Sequence, residues 1–430
     1  MEQVYNQFEG NTLNSFEPVT IEELKDIINS SNTKTAFHDP IPKQVLDQVM
    51  DNILPYLCSL VNKSLETGSM DGVKESIIVP LLKKSGFNSE QLNNYRPVSN
   101  LVFLSKLIER VVLDRLNKHM DHNNLHCNAQ YGYKKFHSTE TLMMKLVNDV
   151  LVGFEKDSGT IVLLLDLSSA FDTVDTDKLL TILNKEIGVT GVALKWFHSF
   201  LSGRTQRVKV GNSISDLLDV LFGVPQGSVL GPILFNIYCR TFGKIVSLCG
   251  FNPGGYADDN HASKTFALCL QYNVITHNMT SLIDQVTNWM NSLYLKINPE
   301  KTEIILFLPK TNQNDTVIGG LFLPGGCCIR FSPTVKNLGV TLDLNLTFDS
   351  HINSIVSHCY KLLRDIGRIR SLLSQKQTES LVHSVISSRL DYCNALFYGI
   401  NKTTLHKMQK LQNSAARLIA KQRKRLLGHF

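Results

Sequence analysis

Two periodicities alternate along the chain. Behind a Thr20–Glu23 capping pattern, apolar residues at Leu24, Ile27 and Ile28 predict a helix. Ser31 to Pro42 breaks it, with Asp39-Pro40-Ile41-Pro42 as the clearest loop, and helical spacing returns over residues 43–67. Ile77 to Lys84 reads as a strand entering a basic loop. A long helix follows from about Ser105 to Met120, its apolar face holding Leu107, Ile108, Val111, Val112 and Leu116. The run from Thr160 to Leu165 is uniformly apolar or β-branched, the pattern of a strand buried on both faces. Further helices are predicted from near Thr176, around Trp196, Phe197 and Phe200, and from Pro232 through Tyr238, where proline suits the first turn. Ser202-Gly203-Arg204-Thr205 reads as a turn into a basic strand, Gln206 to Val210. Glu303 to Leu308 and 335–343 read as strands, 309–334 as a Gly-, Pro- and Asn-rich insertion. From His351 the pattern is helical, with segments near 351–372, 375–398 and 402–422.

Composition narrows this picture. The 430 residues suffice for two or three domains or one multi-lobed enzyme, and 43% hydrophobic content supports a sizeable core. No apolar run reaches the roughly 18 residues of a membrane span. The opening MEQVYNQFEGN has no export-signal core, and the nine cysteines show no CxxC or zinc spacing, so they are read as reduced intracellular thiols. Net charge is only +6, but residues 344–430 hold 14 Lys and Arg against 4 Asp and Glu. That basic region suits a phosphate backbone and equally suits a solvated helical surface. The terminal run from Lys421 to Arg425 is open to the same two readings, or to nuclear targeting.

The candidate chemistry begins with Asp166, a carboxylate ending a buried strand, which is costly without a partner. Asp258 and Asp259 add two adjacent carboxylates in the turn-like stretch Gly254 to Asn260. Each feature alone reads as a helix cap or solvated turn. Brought together, the three repel, and Mg²⁺ is the usual remedy. Two such ions about 3.5–4 Å apart clamp the attacking and leaving oxygens of a phosphoryl transfer. Lys301 is a candidate general acid for a pyrophosphate leaving group. Lys83 and Arg96 read as surface charge or as triphosphate contacts. Phe171 stands five residues past Asp166, bordering the same pocket or part of a core; Asp172 and Asp175 read as caps of the helix near Thr176. Gly223-Val224-Pro225-Gln226-Gly227 is a constrained loop whose glycines suit a tight turn, while Gln226 asks for a polar partner. The patch QYGYKKFHSTE, Gln130 to Glu140, suits single-stranded nucleic acid or the capping of a helix at Leu142.

In order, NNYRPVSN, QYGYKKFHSTE, LLLDLSSAFDTVD, GVPQGSVLGPILF, YADD, LKINPEKT and LGVTLD resemble the reverse transcriptases of non-LTR (LINE-type) retrotransposons, chicken-repeat and jockey-like branches, across about residues 18–425. The resemblance implies an α+β right-hand polymerase with an N-terminal helical extension (1–60), fingers and an antiparallel palm (61–345) and a basic helical thumb (346–430). It implies RNA-templated DNA synthesis with two Mg²⁺, Mn²⁺ being a substitute, on Asp166, Asp258 and Asp259. Lys301 aids the leaving group. Lys83, Arg96, Phe171, Gln226, Gly227 and Tyr256 bind the nucleotide, with Phe171 excluding a 2′-hydroxyl, and Leu338-Gly339-Val340 forms a primer grip. The implied partners are an RNA template, a DNA primer and deoxynucleoside triphosphates, without a membrane, in the nucleus or a cytoplasmic ribonucleoprotein.

Two departures from the family pattern stand out. The strand before YADD reads GFNPGG, and NHASK replaces an apolar return strand; both are expected to weaken the hairpin that presents Asp258. The family's upstream endonuclease and Cys/His knuckle are missing, so the chain is read as a fragment or decayed copy. A relic that binds RNA without catalysis is the alternative; an RNA-templated RNA polymerase is disfavoured by Phe171.

Overall fold

The apolar run ahead of Asp166 forms an inner strand, Ser158–Leu165, of a four-stranded antiparallel sheet in the computed structural model. Asp259–Ala267 pairs on one side, with Leu165 opposite Asn260; Glu303–Phe307 pairs on the other, with Leu164 opposite Glu303. Asn252–Tyr256 completes the sheet as an edge strand. The structure describes residues 7–30, 36, 39, 41–84, 86–168, 170–268, 272–309, 321–322, 328–329 and 331–422. Most of the 309–334 insertion and the last residues of the basic run Lys421–Arg425 lie outside them. No described helix is long and apolar enough to cross a membrane.

The chain is α+β and gathers into two units, each assembled from separate stretches. The sheet just described lies in the unit formed by 134–166, 244–285 and 298–430. Its helix Thr139–Glu155 opens on a reciprocal cap between Ser138 and Thr141, three residues earlier than the apolar spacing suggests. Met143, Leu146, Val147 and Val150 of that helix pack with Val162, Leu164, Ile305 and Phe307 of the sheet. The hairpin Thr334–Asn337/Val340–Asp343 and Phe397 extend the same core. A second core joins Asp349–Ile369, Gln375–Val382 and Lys402–Ala420. The single helix expected over 375–398 is interrupted. It passes through a π turn at His383–Ser387, ends at Asp391, and turns at Cys393, whose φ of 53° no helix accommodates.

The weakened hairpin expected before Asp258 is instead fully paired: Asn252 faces Ser263, Pro253 Ala262, Gly254 His261 and Gly255 Asn260. Proline is tolerated because the strand is at the sheet's edge. Gly254 is required by its neighbour, since a Cβ there would stand 2.4 Å from the His261 ring. The unusual glycine and the unusual histidine explain each other. Burial, then the charge of Lys145, pushes the His261 pKa down to about 4, so the ring is neutral in the sheet.

The other unit comprises 1–133, 167–243 and 286–297. Its mixed sheet runs Tyr95–Leu101, Glu75–Leu82, Arg204–Val210, with Leu218–Val220 and Ser213–Ile214 added to the last. Trp196, Phe197 and Phe200 are fully buried, with Phe16 edge-on to Trp196. Arg204, expected in a turn, is the first strand residue and is buried, its Nη1 donating to the Phe200 carbonyl.

Candidate active site

Asp166 leaves the sheet where Ser158–Leu165 ends, and its carbonyl accepts from Asn298 N at 2.9 Å. Asn298 then builds a tight turn: its carbonyl accepts from Thr302 N and Thr302 Oγ1, and its side chain accepts from Glu300 N. The turn brings Lys301 Nζ to 3.5 Å from Asp166 Oδ2. That oxygen is buried and accepts no hydrogen bond.

Asp258 and Asp259 come from the same end of that sheet: Leu165 is opposite Asn260 in the antiparallel register, and Tyr256 and Asp259 are partners across a two-residue turn. Ala257 takes a φ of 58°, a left-handed conformation that tight hairpins demand and that glycine or asparagine usually supplies. The Asp259 pKa is pushed up to about 6, first by the protein atoms crowding it, then by the charges of Asp258 and Asp166; Lys301 opposes this. Asp166, Asp259 and Lys301 are therefore within electrostatic reach of one another.

The donor chemistry decides whether a divalent cation fits. The candidate ligands are hard carboxylate oxygens, one of them a buried oxygen without a hydrogen-bond partner, and one acid is crowded by two like charges. A hard cation relieves both conditions. Among the described residues no three Asp, Glu, His or Cys side chains are already drawn into a ligand cluster. The donor chemistry suits a hard cation that keeps water and substrate oxygens, while Asp166, Asp258 and Asp259, expected to gather, do not stand as a three-carboxylate ligand cluster.

In the other unit, Phe171 stacks on Phe235 with centroids 4.6 Å apart and planes 27° apart. Phe235 lies on the helix Gly231–Tyr238, so the Gln226 loop and the ring that follows it hold Phe171 from below. The loop grips the Phe171 backbone directly: Val224 N donates to the Phe171 carbonyl at 3.0 Å and Gly223 N to that of Val174 at 2.8 Å. Gly223 has no room for a Cβ, which would stand 2.9 Å from Asp172 Cα. Gln226 Nε2 donates to both Asp172 oxygens, at 2.9 and 3.0 Å. Of the two acids read as helix caps, Asp175 is one, accepting from Lys178 N; Asp172 is not, and holds Gln226 instead. Burial raises the Asp172 carboxyl above its usual range, and the Gln226 bond opposes this. Gly227 is packed onto Ser99, whose carbonyl would lie 2.5 Å from a Cβ.

Lys83 and Arg96 sit at one end of the hairpin Glu75–Leu82/Tyr95–Leu101, where Leu81 faces Arg96 and Lys83 N bonds Asn94 O. Both are exposed, and Lys83 Nζ donates to the Asn93 carbonyl at 2.7 Å.

Leu338 and Gly339 form the two-residue turn of their hairpin, both with positive φ. Tyr392 closes over the turn, donating to the Leu338 carbonyl at 2.6 Å and bonding Thr139 Oγ1 at 3.2 Å. Beside it lies a cavity of about 510 Å³ lined by Lys336, His351, His358 and Arg389 without a carboxylate. In the patch Gln130–Glu140, Ser138 caps the following helix while Phe136 is 97% exposed beside Lys134 and Lys135. One patch thus carries both features that the sequence left as alternatives.

Sequence reasoning passed over Asp172 as an orienting group, Tyr392, and Glu109 in the helix Phe103–His122. Glu109 carried a signal: an acid four residues after Ser105, set among the apolar residues Leu107, Ile108, Val111 and Val112. Tyr392 carried none.

Residues 81–342 match the family model described as reverse transcriptase (RNA-dependent DNA polymerase). The chain is 28% identical over 418 residues to the probable RNA-directed DNA polymerase from transposon BS of Drosophila melanogaster. It is 28% identical over 411 residues to the RNA-directed DNA polymerase from mobile element jockey of the same organism. Each alignment covers 94% of this chain and 44% of the relative, so the chain spans less than half the length of the curated relatives it matches. With its motifs in order and the model covering well over half its residues, the chain belongs to the reverse transcriptase family, among the relatives of the jockey, BS and X-element polymerases.

Proposed function

We propose that this chain is the polymerase region of a retrotransposon protein, extending a DNA primer on an RNA template with deoxynucleoside triphosphates. The observation that carries the reading is the unsatisfied carboxylate group: Asp166, with a buried oxygen lacking a hydrogen bond, in the field of Asp259 and beside Lys301. Asp166, Asp258 and Asp259 would hold Mg²⁺, which supplies charge neutralisation at the attacking and leaving oxygens of nucleotidyl transfer.

The chain's own residues do the remainder. Lys301, an exposed ammonium in a fixed turn, donates a proton to an oxygen of the departing pyrophosphate as general acid and is left as the neutral amine. Lys83 and Arg96 bind the triphosphate. Phe171, stiffened by Phe235, lies under the sugar and excludes a 2′-hydroxyl. Gln226 contacts the nucleotide with its carbonyl end, its amide end being committed to Asp172; Gly227 and Tyr256 complete the nucleotide contacts. The turn Leu338-Gly339-Val340 grips the primer, and the basic helices of 346–430 act as a thumb, with 61–345 as fingers and palm. Template contact falls to Gln130–Glu140, where an exposed aromatic sits among lysines. The reading implies action within the cell on a ribonucleoprotein.

Primer extension on an RNA template with Mg²⁺, beside Asp258→Ala, tests the assignment. Extension by the parent and none by the variant supports it. A folded parent that binds RNA but extends nothing overturns it in favour of a binding relic. Phe171→Ala is expected to admit ribonucleotides; unchanged discrimination removes the role given to that ring.

A further inference from the structure

Glu109 and Ser105, one helical turn apart on Phe103–His122, are completely buried. A carboxylate withdrawn from water is costly unless donors surround it, and four converge here. Ser105 Oγ donates to Oε1 at 3.1 Å, while Ser228 Oγ, Val229 N and Leu230 N donate to Oε2 at 2.6, 2.7 and 3.2 Å. Three of the four come from the residues directly after Gln226 and Gly227. Ser228 Oγ in turn accepts from Leu230 N and Gly231 N, at 3.1 and 3.0 Å. Glu109 and Ser228 together take up the N–H groups of Val229, Leu230 and Gly231 at the start of Gly231–Tyr238. The charge is balanced at longer range by buried Arg204, which Glu109 helps to keep protonated against its burial.

On its other side the same loop is fastened to the strand Tyr95–Leu101. Ser99 N donates to the Gln226 carbonyl at 2.7 Å, and Gly227 lies too close to Ser99 for any side chain. Gln226 is therefore suspended between two anchors, a strand before it and a buried carboxylate after it. Loosening residues 228–230 shifts the backbone that carries its side chain.

We propose that Glu109 is the positioning residue of this loop: its buried carboxylate fixes the backbone from Ser228 to Leu230, and thereby the placement of Gln226 against the incoming nucleotide. The inference rests on the nucleotide-binding role proposed for Gln226. A glutamine at 109 keeps an oxygen for the loop but loses the capacity of a carboxylate oxygen to accept three donors at once. Glu109→Gln is therefore expected to be intermediate and Glu109→Ala severe.

Single-nucleotide insertion kinetics on the full chain test this. Glu109→Ala should raise the deoxynucleotide KM about tenfold or more, the scale of stranded buried donors, with primer–template affinity unchanged; Glu109→Gln should recover most of the loss. A KM equal to the parent's, with kcat reduced only in proportion to the folded fraction, overturns the proposal. So does a glutamine variant as damaged as the alanine one. Hydrogen exchange provides an arm that needs no catalysis. Peptides covering 226–232 should exchange faster in Glu109→Ala while the strand Ser158–Leu165 stays protected, and equal protection of the loop overturns the proposal. A parent that never extends primers removes the polymerase reading, and the exchange result still decides whether Glu109 holds the loop.

Discussion

Glu109 lies fully buried and accepts four hydrogen bonds, whereas Asp166 keeps a buried oxygen that accepts none. Glu109 sits among buried side chains of a helix and Asp166 directly past a buried apolar strand, and each pays a desolvation cost for the oxygens withdrawn from water. Three of the donors around Glu109 come from the loop after Gly227 and the fourth from Ser105 on its own helix, so the carboxylate is finished within the fold. Around Asp166 the fold supplies a lysine at 3.5 Å and two further negative charges, and it sets Ala257 in a left-handed turn to present them. A carboxylate satisfied from within is architecture; the buried Asp166 oxygen that accepts no hydrogen bond, near the like charge of Asp259, is what supports the proposal of a cation that arrives from outside. The difference separates the two roles without reference to family.

The largest expected effect breaks the comparison directly. Asp258→Ala should lower nucleotide incorporation on the order of 10²–10³-fold or more, as loss of transition-state charge stabilisation does, while changing the melting temperature little. A large loss of stability instead would make the acid structural and void the contrast with Glu109.

Next comes the sheet that presents the acids. Gly254→Val drives a branched side chain into the His261 ring and should cost about 1–3 kcal/mol by chemical denaturation. Combining it with His261→Ala should recover part of that loss; strictly additive losses would sever the link drawn between the two residues.

A smaller change sharpens the account of the turn. Ala257→Gly removes the left-handed penalty and should stabilise the fold by about 0.5–1 kcal/mol, with activity no higher than the parent's. Destabilisation would show that the turn is not strained.

The smallest effect concerns pH. Burial, then the charge of Lys336, holds the His351 pKa below its usual 6.5. The folded state thus binds its proton less readily than the unfolded chain. This contribution is complete above about pH 6.5 and is lost as pH falls below it. His351→Phe should flatten that part of a stability–pH profile measured by urea melts; an unchanged slope would assign the titration elsewhere.

The element pattern was legible wherever one segment buries a continuous stripe. The apolar run before Asp166, the helix Lys43–Thr67, the aromatic cluster at Trp196 and the proline-led helix at Gly231 all announce themselves in local spacing. A turn at YADD was legible too, though the stretch read as turn-like, Gly254 to Asn260, is mostly paired strand and only Ala257 and Asp258 lie between the partners. The break within 375–398 was not, because apolar spacing continues across a π turn and a left-handed Cys393.

What the sequence determined by itself is therefore local: which segments are strands and helices, which acids stand at a strand end and a turn, and the motif order that marks the family. The tertiary structure decided the pairings between residues far apart in the chain. Glu109 meets Ser228, Asp172 meets Gln226, Tyr392 closes on Leu338, and Gly254 makes way for His261. Periodicity records how a segment faces its core, but a hydrogen bond across a hundred residues leaves no period. Such a bond becomes visible only when the two backbones are brought to within its length.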